Sequence, residues 1–247
     1  MSGHSKWATI KRKKGATDAA RGRLFTRLIR EIVMAARNGG DPDANPRLRL
    51  AIETARKSSM PMDNIKRAIA RGTGDGESGT LDEVLYEGYG PAGIAVLIEG
   101  FTDNRNRTVA EIRNLLKSNG GAMAESGAVA WSFHRKGVIV VTRAGVDEDD
   151  LMMSALDAGA EDLKVEEEQY EVICPMDKLE TVRKALDEKK YPITAANLQY
   201  LPSTIVQVSS ADAESVMTFM EAIEENDDVQ NVYSNFDLDE KAIASLG

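Results

Sequence analysis

The sequence contains little of the chemistry that supports catalysis, metal binding or disulfide cross-linking. It has one cysteine, Cys174, and two histidines among its 247 residues. A single cysteine excludes an internal disulfide framework and is typical of a protein from a reducing compartment. Its position in the apolar run Val172–Pro175 predicts a buried core thiol. His4 and His134 have no partners at metal-ligand spacing, so we expect no metal site.

Long apolar runs are also missing. No stretch approaches the roughly 18 residues that a membrane-spanning helix needs, and the N-terminus has no apolar region like that of a signal peptide. We therefore expect a cytoplasmic protein that does not act at a membrane. Aromatic residues make up only 5% of the chain, which predicts aliphatic cores.

No group of residues indicates an enzyme. Gly72, Gly74 and Gly76 alternate along the chain, but the strand and helix that would flank a phosphate-binding loop are missing. The acidic run Asp147–Asp150 lies at a predicted helix N-terminus, where carboxylates complement the helix dipole. Because there is no nucleophile–base pair either, we expect no catalytic activity, no small-molecule substrate and no cofactor.

Basic charge is concentrated in the first part of the chain. Residues 1–73 contain 17 Lys and Arg against 6 Asp and Glu, a formal charge of +11. The whole chain carries −9, so the remaining residues carry −20. A polyanion would be attracted to the N-terminal part of this protein and repelled by the rest.

The most concentrated basic segment is Lys11–Lys14, between Trp7 and a predicted helix over 16–38. Clustered Lys and Arg bind phosphate by releasing counterions, and an indole can stack on a base or pack against the helical domain. On the predicted helix, apolar side chains occupy one half of the surface and arginines centre on the other. The candidate nucleic-acid-binding residues in this part are Lys6, Trp7, Lys11, Arg12, Lys13, Lys14, Arg23, Arg27 and Arg30.

A second candidate lies in the segment Asp103–Arg107. One interpretation is a turn made of residues that bond to their own backbone. In the other, Arg105 and Arg107 contact phosphate or the N-terminal domain, because they supply most of the positive charge of an otherwise acidic region. The sequence leaves both interpretations open.

Three short helices are predicted in the first 73 residues. The first covers 16–38, and Asn45-Pro46 marks the start of the second. Pro61 separates the second from the third, which we expect Gly72 to end. The second helix should bury one face, consisting of Leu48, Ala51, Ile52 and Ala55.

After a Gly-rich linker over 73–80, strands are predicted over 81–89 and 94–101. A Thr108–Glu111 capping box predicts the start of the next helix. A strand over 129–134 follows, with Trp131 and Phe133 on one face.

Residues 138–201 predict the order strand, helix, strand, strand, helix, strand, which is a ferredoxin-like unit. The strand–helix–strand that follows should complete the sheet begun at 81–135. The predicted fold class is α+β, with a three-helix domain and two α/β domains, one inserted in the other. The predicted domains are 1–73, a discontinuous 81–135 with 204–247, and the inserted 136–203.

Several ordered motifs resemble the YebC/PmpR family, which includes the mitochondrial translational activator of cytochrome oxidase. They are spread from residue 3 to about residue 140, and comprise Gly3–Ala8, Ile10–Lys14, Leu24–Thr26, Met60–Ile65, Tyr86–Pro91, Thr102–Thr108 and Glu125–Gly127. The resemblance implies three domains and a role in gene expression. It also implies either a DNA-binding transcriptional regulator or a translation factor that relieves ribosome stalls at proline-rich stretches.

We therefore predict a monomeric, non-enzymatic regulator of transcription that binds nucleic acid through its basic end. Phosphate contacts from a basic arm position a protein without specifying a base. They suit structured RNA or the ribosome as well as DNA, so an RNA-binding translation factor is the first alternative. A protein-interaction scaffold is the second.

Overall fold

The computed structural model describes residues 18–74, 81–238 and 242–243. Its helices and sheets form an N-terminal helical domain and two α/β domains, which confirms the predicted α+β fold class. Within the part of the chain that the structure describes, no helix has the length and apolar character needed to cross a membrane.

The N-terminal domain consists of α1 (Asp18–Ala36), α2 (Pro46–Lys57) and α3 (Met62–Thr73). Asn45 caps α2, because its side-chain oxygen accepts a hydrogen bond from the backbone N–H of Leu48 at 3.1 Å. The face of α2 that was predicted to be buried is buried. The cap and the inward face of α2 were therefore predicted correctly.

Gly72 has a different role from the predicted one. It lies inside α3, which ends at Thr73, and Gly74 follows as the C-cap with φ of 93°. A Cβ on Gly72 would lie 2.4 Å from the carbonyl oxygen of Val33 and 2.6 Å from the Cβ of Ala36. Glycine is needed here because α1 and α3 approach closely, and the prediction that it ends the helix was wrong.

The middle domain begins with β1 (Asp82–Tyr89), β2 (Ala95–Thr102), α4 (Arg105–Ser118) and β3 (Ala122–Met123). The predicted start of α4 was wrong by one turn. Asn104 caps this helix by accepting from the backbone N–H of Arg107 at 3.1 Å. Thr108 of the expected capping box is buried inside the helix, where its hydroxyl contacts neighbouring polar groups.

The predicted strand over 129–134 was also wrong. Residues Ala130–Ser132 form a 3₁₀ turn, and β4 extends from Phe133 to Thr142. Trp131 is 72% exposed whereas Phe133 is 5% exposed, so the two rings do not share a face. The single long strand β4 leads directly from the middle domain into the next one.

The third domain is a four-stranded antiparallel sheet with two helices. Its order in space is β5-β6-β4-β7, which is the ferredoxin-like arrangement that the sequence predicted. The elements after β4 are α5 (Glu148–Asp157), β5 (Asp162–Val165), β6 (Gln169–Cys174), α6 (Leu179–Glu188) and β7 (Ile193–Pro202).

The chain then returns to the middle domain. It forms β8 (Val206–Val208), α7 (Ser210–Glu224), β9 (Val229–Ser234) and β10 (Phe236–Leu238). Strand β9 pairs with β2, giving a sheet of order β3-β1-β2-β9, and β8 pairs with β10 in a small parallel sheet. The ferredoxin-like unit is therefore inserted in the middle domain.

The helical and middle domains share a hydrophobic core. Leu81, which precedes β1, and Phe101 of β2 are 2% exposed and pack with the buried side chains of α1, α2 and α3. Since burial of large apolar side chains is the main favourable contribution to docking, this contact fixes α1 against the end of the middle sheet.

Candidate nucleic-acid interface

The basic arm that the sequence singles out lies outside the described residues. Its candidates are Lys6, Trp7, Lys11, Arg12, Lys13 and Lys14. Their assignment to nucleic acid stays a prediction. The structure places the other five candidates, which lie on α1 and at the start of α4.

Three of these candidates form an arginine stripe on α1, made of Arg23, Arg27 and Arg30. Their spacing of four and three residues puts them on one side of the helix. The arginine stripe faces Glu224–Asp228, the end of α7 and the loop before β9, which we call the acidic segment. The basic face of α1 thus contacts the acidic segment of the middle domain.

Each arginine of the stripe has a different partner. The guanidinium of Arg23 lies 3.3 Å from a carboxylate oxygen of Glu225. Arg27 donates to the backbone carbonyl of Glu224. Arg30 donates to the carbonyl of Phe101 at 2.9 Å and to the carbonyl of Asp227.

The location of these contacts at the end of α7 has an electrostatic reason. The last carbonyls of a helix have no intrahelical donor and carry the negative end of the helix dipole, which favours a nearby cation. Burial lowers the pKa of Arg27 from its ordinary value, and the charges of Glu224 and Asp227 oppose that shift. An arginine remains protonated under such conditions, so the stripe presents fixed positive charge.

Asp228 joins the helical and middle domains through its buried carboxylate. One oxygen lies 2.8 Å from a guanidinium nitrogen of Arg30, and the other lies 2.8 Å from Arg107. The second oxygen also accepts from the hydroxyls of Thr108 and Thr102. Burial disfavours the charged carboxylate, but these donors and arginines outweigh burial and hold its pKa below the ordinary value.

Arg105 and Arg107 lie in the first turn of α4 and make different contacts. Arg105 forms a 2.9 Å ion pair with Asp82, in which both side chains are more than half exposed. Arg107 contacts Asp103 at 3.0 Å as well as Asp228. The carboxylate of Asp228 therefore links Arg107 to Arg30 of the helical domain, a connection that sequence spacing did not reveal.

Other cations of the helical domain remain exposed. Arg37, Arg56, Lys57 and Lys66 are exposed, and none of them forms an ion pair with another described residue. Sequence reasoning did not select them, because they belong to the general positive charge of residues 1–73 rather than to a compact motif. They extend the basic surface from the end of α1 over α2 and α3.

A second buried carboxylate fixes the loop that carries Trp131. Glu87 is 6% exposed and accepts from the backbone N–H groups of Gly127, Val129 and Ala130 at 2.6 to 2.8 Å. Burial raises the pKa of this carboxyl group, but the three donors outweigh burial and the net shift is downward. The loop is therefore held in one conformation with the indole exposed.

The structure offers few groups for metal or covalent chemistry. Within residues 18–74 and 81–238, no three His, Cys, Asp or Glu side chains are grouped as metal ligands would be. Cys174 is fully buried in the core of the third domain, as the sequence predicted, and burial raises the pKa of its thiol to about 11. A thiol with this pKa is almost entirely protonated at neutral pH.

Comparison with known proteins places the chain in a family. Residues 5–75 match the family described as "TACO1/YebC protein N-terminal domain" and residues 81–236 match "TACO1/YebC second and third domain". The second match contains both the middle domain and the inserted ferredoxin-like unit. The chain is a multidomain α+β protein that belongs to the TACO1/YebC family.

Its relatives match along their whole length. A protein of Chlorobium phaeobacteroides and one of Chlorobaculum tepidum, each named "Probable transcriptional regulatory protein", are 55% identical over 100% of this chain and 99% of theirs. A protein of Solibacter usitatus with the same name is 53% identical over the same shares. The crystal structure of a conserved hypothetical protein from Aquifex aeolicus is 43% identical, has a TM-score of 0.84, and is matched over 93% of its chain and 90% of this one.

Proposed function

We propose that this protein is a DNA-binding regulator of transcription that acts in the cytoplasm through its basic N-terminal domain, without catalytic activity. The observation that carries the proposal is the exposed positive charge on all three helices of that domain, next to a chain that is otherwise strongly acidic. The name shared by the full-length relatives supports a role in transcription.

The physical basis of binding is contact with the phosphate backbone. Each Lys or Arg that neutralises a phosphate releases counterions, which makes the affinity depend steeply on salt concentration. Lys11–Lys14 concentrates four such side chains, and the exposed cations of the helical domain add to them. The acidic middle and third domains repel the same polyanion, so the protein should bind with its N-terminal domain foremost.

The test is the salt dependence of binding after neutralisation of the arm. A variant with Lys11→Gln, Arg12→Gln, Lys13→Gln and Lys14→Gln should bind duplex DNA more weakly. The slope of log affinity against log salt should fall by roughly 0.9 per lost contact, or about 0.7 per contact on a single strand. Fluorescence anisotropy with a labelled 20-base-pair duplex measures both quantities.

The matched control neutralises four exposed cations of the other domains, Arg113, Lys117, Lys178 and Lys184. It changes the net charge by the same amount and should leave the slope unchanged. Equal effects of the two variants would remove the arm from the binding surface. Strong preference for structured RNA over duplex DNA would favour the translation-factor alternative, and binding of neither would favour a protein-interaction scaffold.

A further inference from the structure

We propose that the acidic segment is an intramolecular competitor of nucleic acid: it occupies Arg23 and Arg27 in the free protein, and phosphates displace it. This inference rests on the proposed function and adds a form of regulation to the same surface. The sequence assigns the arginine stripe to nucleic acid, whereas the structure shows the stripe in contact with the acidic segment. Competition reconciles the two observations.

The chemistry of the acidic segment resembles that of a phosphate backbone. It presents carboxylate and carbonyl oxygens to the guanidinium groups, at the negative end of the dipole of α7. Arginine binds carboxylate and phosphate oxygens through the same N–H donors. A phosphate can therefore replace each of these partners without a change in the arginine side chain.

The contacts of the stripe differ in strength along α1. The Arg23–Glu225 pair lies at the surface, with side chains 33% and 65% exposed, and such pairs are weak and screened by salt. Arg30 is held more firmly, because it pairs with Asp228, whose side chain is 4% exposed. Arg27, which lies between these two residues on α1, donates to a backbone carbonyl at a partly buried position. The outer part of the acidic segment, Glu224–Asn226, can thus be displaced from Arg23 and Arg27, while Arg30 keeps its contacts with the carbonyl of Asp227 and with Asp228.

This arrangement sets an upper limit on how much displacement can change the salt dependence of binding. Two arginines, Arg23 and Arg27, become available to phosphate when the outer part of the acidic segment moves. Full release therefore steepens the salt dependence by at most about 1.8 on duplex DNA, or about 1.4 on a single strand. The apparent affinity for nucleic acid equals the intrinsic affinity multiplied by the fraction of free molecules in which Arg23 and Arg27 are uncovered.

The experiment weakens the competitor without touching the stripe or the buried Asp228. The variant Glu225→Gln with Asp227→Asn removes two negative charges from the acidic segment and keeps its backbone acceptors. Its control, Glu167→Gln with Glu168→Gln, removes two charges from exposed positions of the third domain. Anisotropy titrations with the duplex and with single-stranded RNA are run over a salt series for wild type and both variants.

We expect the acidic-segment variant to bind about threefold more tightly than the control, and with a steeper salt slope, because a larger fraction of molecules presents the stripe. If wild type binds and both variants behave alike, the competition is refuted while the proposed function stands. If the acidic-segment variant alone binds, the competition is supported in a stronger form. If no form of the protein binds either nucleic acid, both the competition and the proposed function are refuted.

Hydrogen exchange on the intact wild-type protein supplies an independent readout. Backbone amides around the acidic segment are hydrogen-bonded in the free protein, including Asn226 to Ile223 and Val229 to Asn226. Saturation with duplex DNA should increase deuterium uptake in the peptide that covers Glu224–Asp227. Unchanged or reduced uptake there, together with protection of α1, would overturn the proposal.

Discussion

Replacing Asp228 by asparagine tests the central electrostatic contact between the helical and middle domains. The substitution keeps the size and shape of the side chain but removes the charge that faces Arg30 and Arg107. Loss of one member of a buried ion pair typically costs about 3–5 kcal/mol. Arg30 is 17% exposed and belongs to this class, whereas Arg107 is 43% exposed and should add little.

We therefore expect Asp228→Asn to lower the free energy of unfolding by about 3 kcal/mol, the lower end of that range. At roughly 2–4 °C per kcal/mol for a chain of this size, Tm should fall by about 6–12 °C. Urea unfolding followed by circular dichroism measures the change, and Asp157→Asn, on the exposed side of α5, is the matched control. A loss within about 0.5 kcal/mol of that control would refute the reasoning.

The pH dependence of the same variant tests the sign of the pKa shift. Because the pKa of Asp228 is lower in the folded protein than its ordinary value, its contribution to stability is present above the ordinary pKa. That contribution is lost as the pH falls through the folded-state pKa. The stability of wild type should consequently fall more steeply in acid than that of Asp228→Asn, and parallel acid transitions would contradict this assignment.

Three further substitutions or reactions test the fold. Gly72→Ala should destabilise the protein despite the better helix propensity of alanine, because α1 leaves no space for a Cβ. Gly22→Ala, where a Cβ would meet open space, should stabilise the protein by about 0.5–1 kcal/mol. Thermal unfolding of both variants measures these changes. Glu87→Gln should cost about 1–3 kcal/mol by leaving backbone donors without a charged acceptor, and Glu125→Gln, at an exposed position, should not; urea unfolding measures both. Cys174 should not react with a thiol reagent in the native protein at neutral pH and should react fully in denaturant, and rapid native labelling would contradict its burial.

Local signals predicted the regular parts of the fold. The N-cap and proline at Asn45-Pro46, the inward face of α2 and the order of strands and helices in the ferredoxin-like unit all depend on neighbouring residues, and the structure has them as expected. The later strand–helix–strand was expected to complete the sheet begun at 81–135, but only β9 joins that sheet, whereas β8 pairs with β10, a strand that was not predicted. The predictions failed where two signals compete within a few residues. Asn104 caps α4 one turn before Thr108. A glycine near the end of a helix often ends it, but Gly72 lies within α3 and allows α1 and α3 to pack closely.

The candidate interface depended on contacts that sequence spacing cannot show. Helical periodicity placed Arg23, Arg27 and Arg30 on one face, and that geometry was correct. It carried no information on what faces them, because the acidic segment is some 200 residues away in the chain. Asp228 likewise lies in a run of polar residues with nothing to mark its burial. Charge asymmetry therefore identified the surface, and only the tertiary structure identified its intramolecular partner.

The most direct test of the proposed function is in-cell crosslinking of the protein to nucleic acid, followed by sequencing of what is recovered. Wild type and the variant neutralised at Lys11–Lys14 are compared at equal abundance. We predict reads at discrete promoters in wild type that disappear in the variant. Reads concentrated in ribosomal RNA or tRNA, with the protein co-sedimenting with ribosomes, would contradict a DNA-binding transcriptional regulator.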